Sequence, residues 1–122
     1  MTRRDIQRLD DIAAAIIAIR AHVARGDLSD ALVFDAVRVR LIEIGEAVKA
    51  LPRGLLAHEP TIPWEQVAGM RDRLTHRYFD ASRSILRATV EHDLPDLDKA
   101  VQRLAALAHN DSSEEGGADD RR

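Results

Sequence analysis

Residues 30–51 read DALVFDAVRVRLIEIGEAVKAL. Within this stretch Val33, Val37, Leu41, Ile44, Val48 and Leu51 succeed one another at steps of four or three. That spacing gathers them on one face of an α-helix covering roughly Asp30 to Leu51. The seam is of the kind that packs against another helix over several turns, and its unbroken length predicts that part of it faces another subunit. Pro52 closes the helix, since its ring excludes continuation.

The pattern repeats on both sides. Upstream, Ile6, Leu9, Ala13, Ile16, Ile17, Arg20 and Val23 fit a helix over about Arg4 to Ala24. Gly26 suits a left-handed stop, and Ser29 is a candidate N-cap for the next helix. Downstream, Arg53 to Pro60 forms a connector with room for a short helical turn. A third helix is predicted to begin at Pro63 and to run through Trp64, Val67, Met70 and Leu74 to about Tyr78. Asp80 is the expected N-cap of a fourth, with Ile85, Leu86, Val90 and Leu94 facing inward. Pro95 opens a fifth, with Leu97, Val101, Leu104 and Ala108 as its stripe. The expectation is an all-α, up-and-down bundle of four to five helices. Residues 1–109 form its one domain. Residues 110–122 hold no apolar residue except Ala118 and read as a disordered acidic tail.

Composition narrows the chemistry. There is no cysteine, which removes disulfides and thiolate metal sites. The longest apolar run, Ile12 to Ile19, is too short to cross a bilayer, so no membrane partner is expected. Nothing at the N-terminus reads as a secretory signal, and the expected location is cytoplasmic. A net charge of −3 means that any nucleic-acid site must be a local basic patch.

Such a patch begins at Arg71-Asp72-Arg73-Leu74-Thr75-His76-Arg77-Tyr78. From Arg71 to Arg87, five arginines face only Asp72 and Asp80. On a regular helix Asp72 and His76 stand at i and i+4, where a carboxylate can hold one imidazole nitrogen and present the other. Arg71 and Tyr78 lie only ~20° apart, whereas Arg71 and His76 are ~140° apart. Arg71 and His76 therefore converge only if the Arg curls over or the helix bends near Thr75. The segment offers one acid–base group near neutrality, one permanent cation, and no clustered ligands for a metal. That set suits metal-independent RNA cleavage, in which the 2′-OH is an internal nucleophile and no cofactor is called for. The same residues also fit an ordinary solvated helix face.

The spacing Arg71, four residues, His76, one residue, Tyr78 resembles the signature of the HepT toxins in the HEPN ribonuclease superfamily. Ile62-Pro63-Trp64-Glu65 with Gly69-Met70-Arg71, Arg40 through Ala47, and Asp93-Leu94-Pro95 with Leu97 resemble the surrounding family blocks, in the same order. The likeness covers about residues 4 to 108. It implies a helical RNase acting as a homodimer, with two motifs facing one cleft. It also implies a toxin–antitoxin pair, in which a minimal nucleotidyltransferase antitoxin uses ATP to add AMP to the motif tyrosine. Carried over by position, Arg71 and His76 are catalytic, Asp72 is the supporting polar residue and Tyr78 is the modified one. The alternative is a non-catalytic helical dimer that docks a nucleotidyltransferase or binds nucleic acid without cutting it.

Overall fold

The computed structural model describes residues 1–75 and 79–120, with side chains described for 1–75 and 83–107. Every regular element among the described residues is helical: α1 (Arg3–Arg25), α2 (Ala31–Ala50), the single turn α3 (Arg53–Leu56), α4 (Trp64–Thr75), α5 (Phe79–Ala88), a π-helical stretch (Thr89–Asp93) and α6 (Leu94–Asp120). Helix α2 packs between α1 and α4, and α6 closes the bundle against α1.

Local chemistry sets the helix ends. The Thr2 hydroxyl accepts the Asp5 N–H while the Asp5 carboxylate accepts the Thr2 N–H, both at 3.1 Å. This capping box satisfies two donors that a helix start leaves orphaned, and it explains how Asp5 comes to be buried. Gly26 is extended at φ −173°, so the expected left-handed stop is not used. The N-cap of α2 is Asp30, not Ser29: its carboxylate accepts the Leu32 N–H at 2.8 Å. Ser29 instead donates to Asp27 at 2.9 Å, which holds the Asp27 carboxyl below its usual range.

The core is one cluster. Leu9, Ile12, Ile16 and Ile19 of α1 meet Val37, Leu41, Ile44 and Val48 of α2, with Met70, Leu74, Leu86, Leu97, Val101 and Leu104 completing it. Of the expected α1 stripe, Ile17 and Arg20 are exposed. Ile17 is 69% exposed, and Arg20 pairs with Asp98 of α6 at 2.7 Å. The run from Ile12 to Ile19 holds more apolar residues than one helical face can bury, and Ile12 and Ile19 take the inward places. The α2 seam is consumed within the chain, since all its members but half-buried Val33 are buried. It is therefore not the surface that meets another subunit.

The fourth and fifth predicted helices are joined without a break. Helix α5 begins before Asp80, which is thus not its N-cap, and α6 begins one residue before Pro95. Proline has no N–H and its ring crowds the carbonyl four residues back. A wider π turn accommodates this, and the Leu94 N–H bonds the Thr89 carbonyl, five residues back. Helix α6 runs on through residues 110–120, the stretch whose composition predicts disorder.

Cross-links fix the remaining connections. The Trp64 indole N–H donates to the carbonyls of Leu56 and Glu59, each at 3.0 Å, and so staples α3 to α4. Arg103 of α6 donates twice to Glu59, at 2.9 and 2.6 Å. That contact holds the Glu59 carboxyl below its usual range, so the pair contributes at neutral pH and is lost on acidification through the lowered value.

Helices α2 and α4 cross at Gly45. A Cβ on Gly45 would lie 3.0 Å from the Val67 carbonyl oxygen and 3.2 Å from the Arg71 nitrogen. Both obstacles are backbone. Gly69 lies within α4, and a Cβ there meets nothing within 4 Å. Opposite outcomes are expected. Gly69→Ala should stabilise by about 0.5–1 kcal/mol through helix propensity. Gly45→Ala should destabilise by roughly 1–2 kcal/mol, because overpacking outweighs the same propensity gain. Urea unfolding of the two variants checks this, and a stabilised Gly45→Ala protein would contradict the close crossing.

Candidate active site

The site is built on the α2–α4 crossing. Val67, Met70 and Leu74 turn one side of α4 into the core. This register leaves Arg71 and Asp72 on the outer side, where both are exposed. Because Gly45 lets the two backbones close up, the next residue of α2, Glu46, reaches Arg71. The Arg71 Nε lies 2.9 Å from the Glu46 Oε1, and its Nη1 lies 3.8 Å from the Asp72 carboxylate. Both partners are about half exposed, so solvent screens the pair and it adds little stability. Its consequence is directional. The Nε edge of the guanidinium faces Glu46 and Nη1 faces Asp72, so two carboxylates orient the planar fork.

The end of α4 is held separately. Arg38 of α2 donates from Nε to the Leu74 carbonyl at 2.7 Å, and the Thr75 hydroxyl donates to the Asp72 carbonyl at 3.1 Å. The Leu74 and Asp72 carbonyls thus each accept a side-chain donor. Arg73 folds back on its own helix and donates to the Gln66 carbonyl at 2.5 Å. It borders a cavity of about 270 Å³ between α4 and the π-helical stretch, lined also by Met70, Thr89, Asp93 and Leu97.

Of the residues expected to carry chemistry, Arg71 and Asp72 stand side by side on the surface of α4. His76 and Tyr78 lie outside the described residues, and so does the expected Asp72–His76 pair. Glu46 and Arg38 belong to the site's surroundings but did not stand out in sequence. Glu46 follows Gly45 in a block with family likeness, yet only the crossing register shows which α4 residue it meets. Arg38 reads as one charge among several on an amphipathic helix.

A second feature lies along the outer face of α2. Leu32 is 80% exposed and Val39 is 49% exposed. They stand seven residues apart on one face of α2, along which the exposed carboxylates Glu43 and Glu46 follow. Among the described residues no three or more metal-ligating side chains cluster, and no helix is long and apolar enough to cross a membrane.

Known proteins share this arrangement of sequence. The family model for HepT-like ribonucleases matches residues 6–104. A probable ribonuclease HepT of Thermococcus cleftensis is 35% identical over 108 residues, covering 85% of this chain and 98% of the relative. A protein of Caldanaerobacter subterraneus subsp. tengcongensis, provisionally described as an RNase, is 42% identical over 67 residues, 54% of this chain and 60% of its own length. A similarly described protein of Methanocaldococcus jannaschii is 37% identical over 67 residues, or 54% and 55% of the two chains. No solved structure matches the chain.

Proposed function

The chain belongs to the HepT-like ribonuclease family, and from that premise we propose that it is a metal-independent endoribonuclease with Arg71 and His76 as its catalytic pair. The observation that carries the reading is the Arg71 guanidinium, an exposed cation held at 2.9 Å by Glu46 beside the α2–α4 crossing. It stands at the head of the Arg-x4-His spacing.

The reaction asks little of the protein. The 2′-oxygen attacks the adjacent phosphorus, and its proton passes to a neutral imidazole. The bond from phosphorus to the 5′-oxygen breaks, and a protonated imidazole supplies the leaving oxygen with its proton. A 2′,3′-cyclic phosphate and a 5′-hydroxyl result. Arg71 neutralises the charge that builds on the non-bridging oxygens. Two imidazoles in opposite states are needed, but each motif holds one. A two-fold dimer with facing motifs supplies both. The exposed apolar residues Leu32 and Val39, on the outer face of the helix that carries Glu46, support this arrangement.

The cellular role in this reading is that of a cytoplasmic toxin silenced by a nucleotidyltransferase antitoxin. The Tyr78 hydroxyl attacks the α-phosphorus of ATP in the partner's site and pyrophosphate leaves. The new phosphodiester carries one negative charge and competes with RNA phosphate for Arg71.

Replacing His76 or Arg71 by Ala should lower RNA cleavage by roughly 10²–10⁴-fold while the variants stay folded, with wild-type activity persisting in EDTA. A folded His76→Ala protein at wild-type rate would overturn the catalytic assignment and favour the docking module. The double variant Leu32→Glu, Val39→Glu should sediment as a monomer, keep its helical content and lose cleavage; a monomer cutting at full rate would overturn the shared cleft. After incubation with the antitoxin and ATP, intact-mass measurement should show added AMP and lost cleavage. Tyr78→Phe should gain no mass and stay active; equal AMP addition to Tyr78→Phe would place the switch elsewhere.

A further inference from the structure

We propose that the cavity beside Trp64 is an RNA subsite that seats the nucleotides next to the scissile phosphate. This rests on the cleavage reading above and adds to it the surface along which a single strand lies. The cavity, of about 340 Å³, opens between α2, α3 and α4. Lys49 of α2, Arg53 of α3, and Trp64, Glu65 and Ala68 of α4 are among its lining residues. Lys49 and Arg53 are exposed, and among the described residues neither makes a salt bridge. Glu65 is the only carboxylate in the lining, so the rim is net positive within a chain of net charge −3. Cations without a protein partner can neutralise backbone phosphates and release the counterions those phosphates hold.

The aromatic wall is fixed in place. The Trp64 N–H is shared between the Leu56 and Glu59 carbonyls, each at 3.0 Å, and this holds the ring in one orientation. Its polar atom is thereby occupied, and what the partly buried ring offers the cavity is π surface, on which a base stacks whatever its identity. The cavity also adjoins Arg71. Ala68, in its wall, sends its carbonyl to the Gly45 crossing, where a Cβ would meet that oxygen at 3.3 Å and the Arg71 nitrogen at 3.2 Å. Helices α2 and α4 run in opposite directions through this point, since Arg38 meets Leu74 and the later Glu46 meets the earlier Arg71. Lys49, one turn past Gly45, therefore falls on the Trp64 side of the crossing. At 1.5 Å rise per residue Trp64 lies about 10 Å from Arg71 along α4. A strand with one phosphate at Arg71 brings its neighbouring nucleotides to this distance, with Lys49 and Arg53 beside the next phosphates and a base against Trp64. Paired cations around an aromatic face suit single-stranded RNA better than an acidic peptide, which has no bases to stack.

Trp64 is the chain's one tryptophan, so its emission reports on the cavity directly. Replacing it would break the staple between α3 and α4, and the native ring is therefore kept. The full-length protein is titrated with a short single-stranded RNA whose 2′-oxygens are methylated, so that no attacking hydroxyl is present. Emission should be quenched as this RNA binds. The double variant Lys49→Gln, Arg53→Gln should bind roughly tenfold more weakly, and the slope of log K against log salt should shrink by about 1.4, or ~0.7 for each lost phosphate contact. Lys99→Gln, which removes an exposed cation of α6 that does not line the cavity, should change neither. RNA binding without a change in emission would overturn the proposal, as would wild-type affinity and salt slope in the double variant. Quenching by polyglutamate and not by RNA would overturn it in favour of an acidic protein. Subsite and cleavage fail separately. A wild-type protein that binds with quenching but cuts no unmodified RNA would overturn cleavage and support the subsite. One that cuts RNA while its emission stays unchanged on binding would overturn the subsite alone.

Discussion

At Gly45 two helices approach so closely that a Cβ would have to push the facing backbone aside by a few tenths of an ångström. A Cβ there would stand 3.0 Å from one backbone atom of α4 and 3.2 Å from another. This contact sets the register of α2 against α4, and the rest of the site follows from it. Glu46 falls beside Arg71 because it is the next residue after the crossing. Arg38 falls beside Leu74 because it lies two turns earlier on α2, against the far end of α4. The core residues Ile44, Met70 and Leu74 are buried around the same crossing, so packing and site geometry share one constraint.

The fold was largely legible because each main helix carries its own apolar stripe. The seam from Val33 to Leu51 located α2 to within a residue at either end, and Leu97, Val101 and Leu104 located α6. Misreadings arose where several residues competed for one role. Ile12, Ile16, Ile17 and Ile19 are all apolar, and a helical period alone does not choose among neighbours. Ser29 and Asp30 are both good caps, and the choice depends on which lies at the turn when the first N–H groups need acceptors. Pro95 signals a helix start in sequence, whereas the neighbouring π turn absorbs its missing donor and lets the rod continue.

Of the candidate site, sequence points to Arg71 and Asp72, which stand exposed on α4, but not to the residues that contact them. Arg71 stood out because its charge sits in a basic segment of an acidic chain, and its family spacing reinforced it. The roles of Glu46 and Arg38 arise between elements far apart in sequence, and periodicity within one helix holds no information about them. The expectation of another subunit on the α2 seam was misplaced for a related reason. A regular seam shows that something covers it, and here α1 and α4 do. The exposed residues Leu32 and Val39, off that seam, are the apolar surface left over.

Placing the scissile phosphate tests the account at its centre. A crystal structure of the protein with an RNA whose attacking 2′-OH is replaced by hydrogen would trap an uncleaved substrate. The account predicts one phosphate in contact with both the Arg71 guanidinium, still paired to Glu46, and a His76 imidazole, inside a cleft between two copies of the chain. A bound phosphate remote from Arg71, or a single copy holding the RNA away from the α2–α4 crossing, would contradict it.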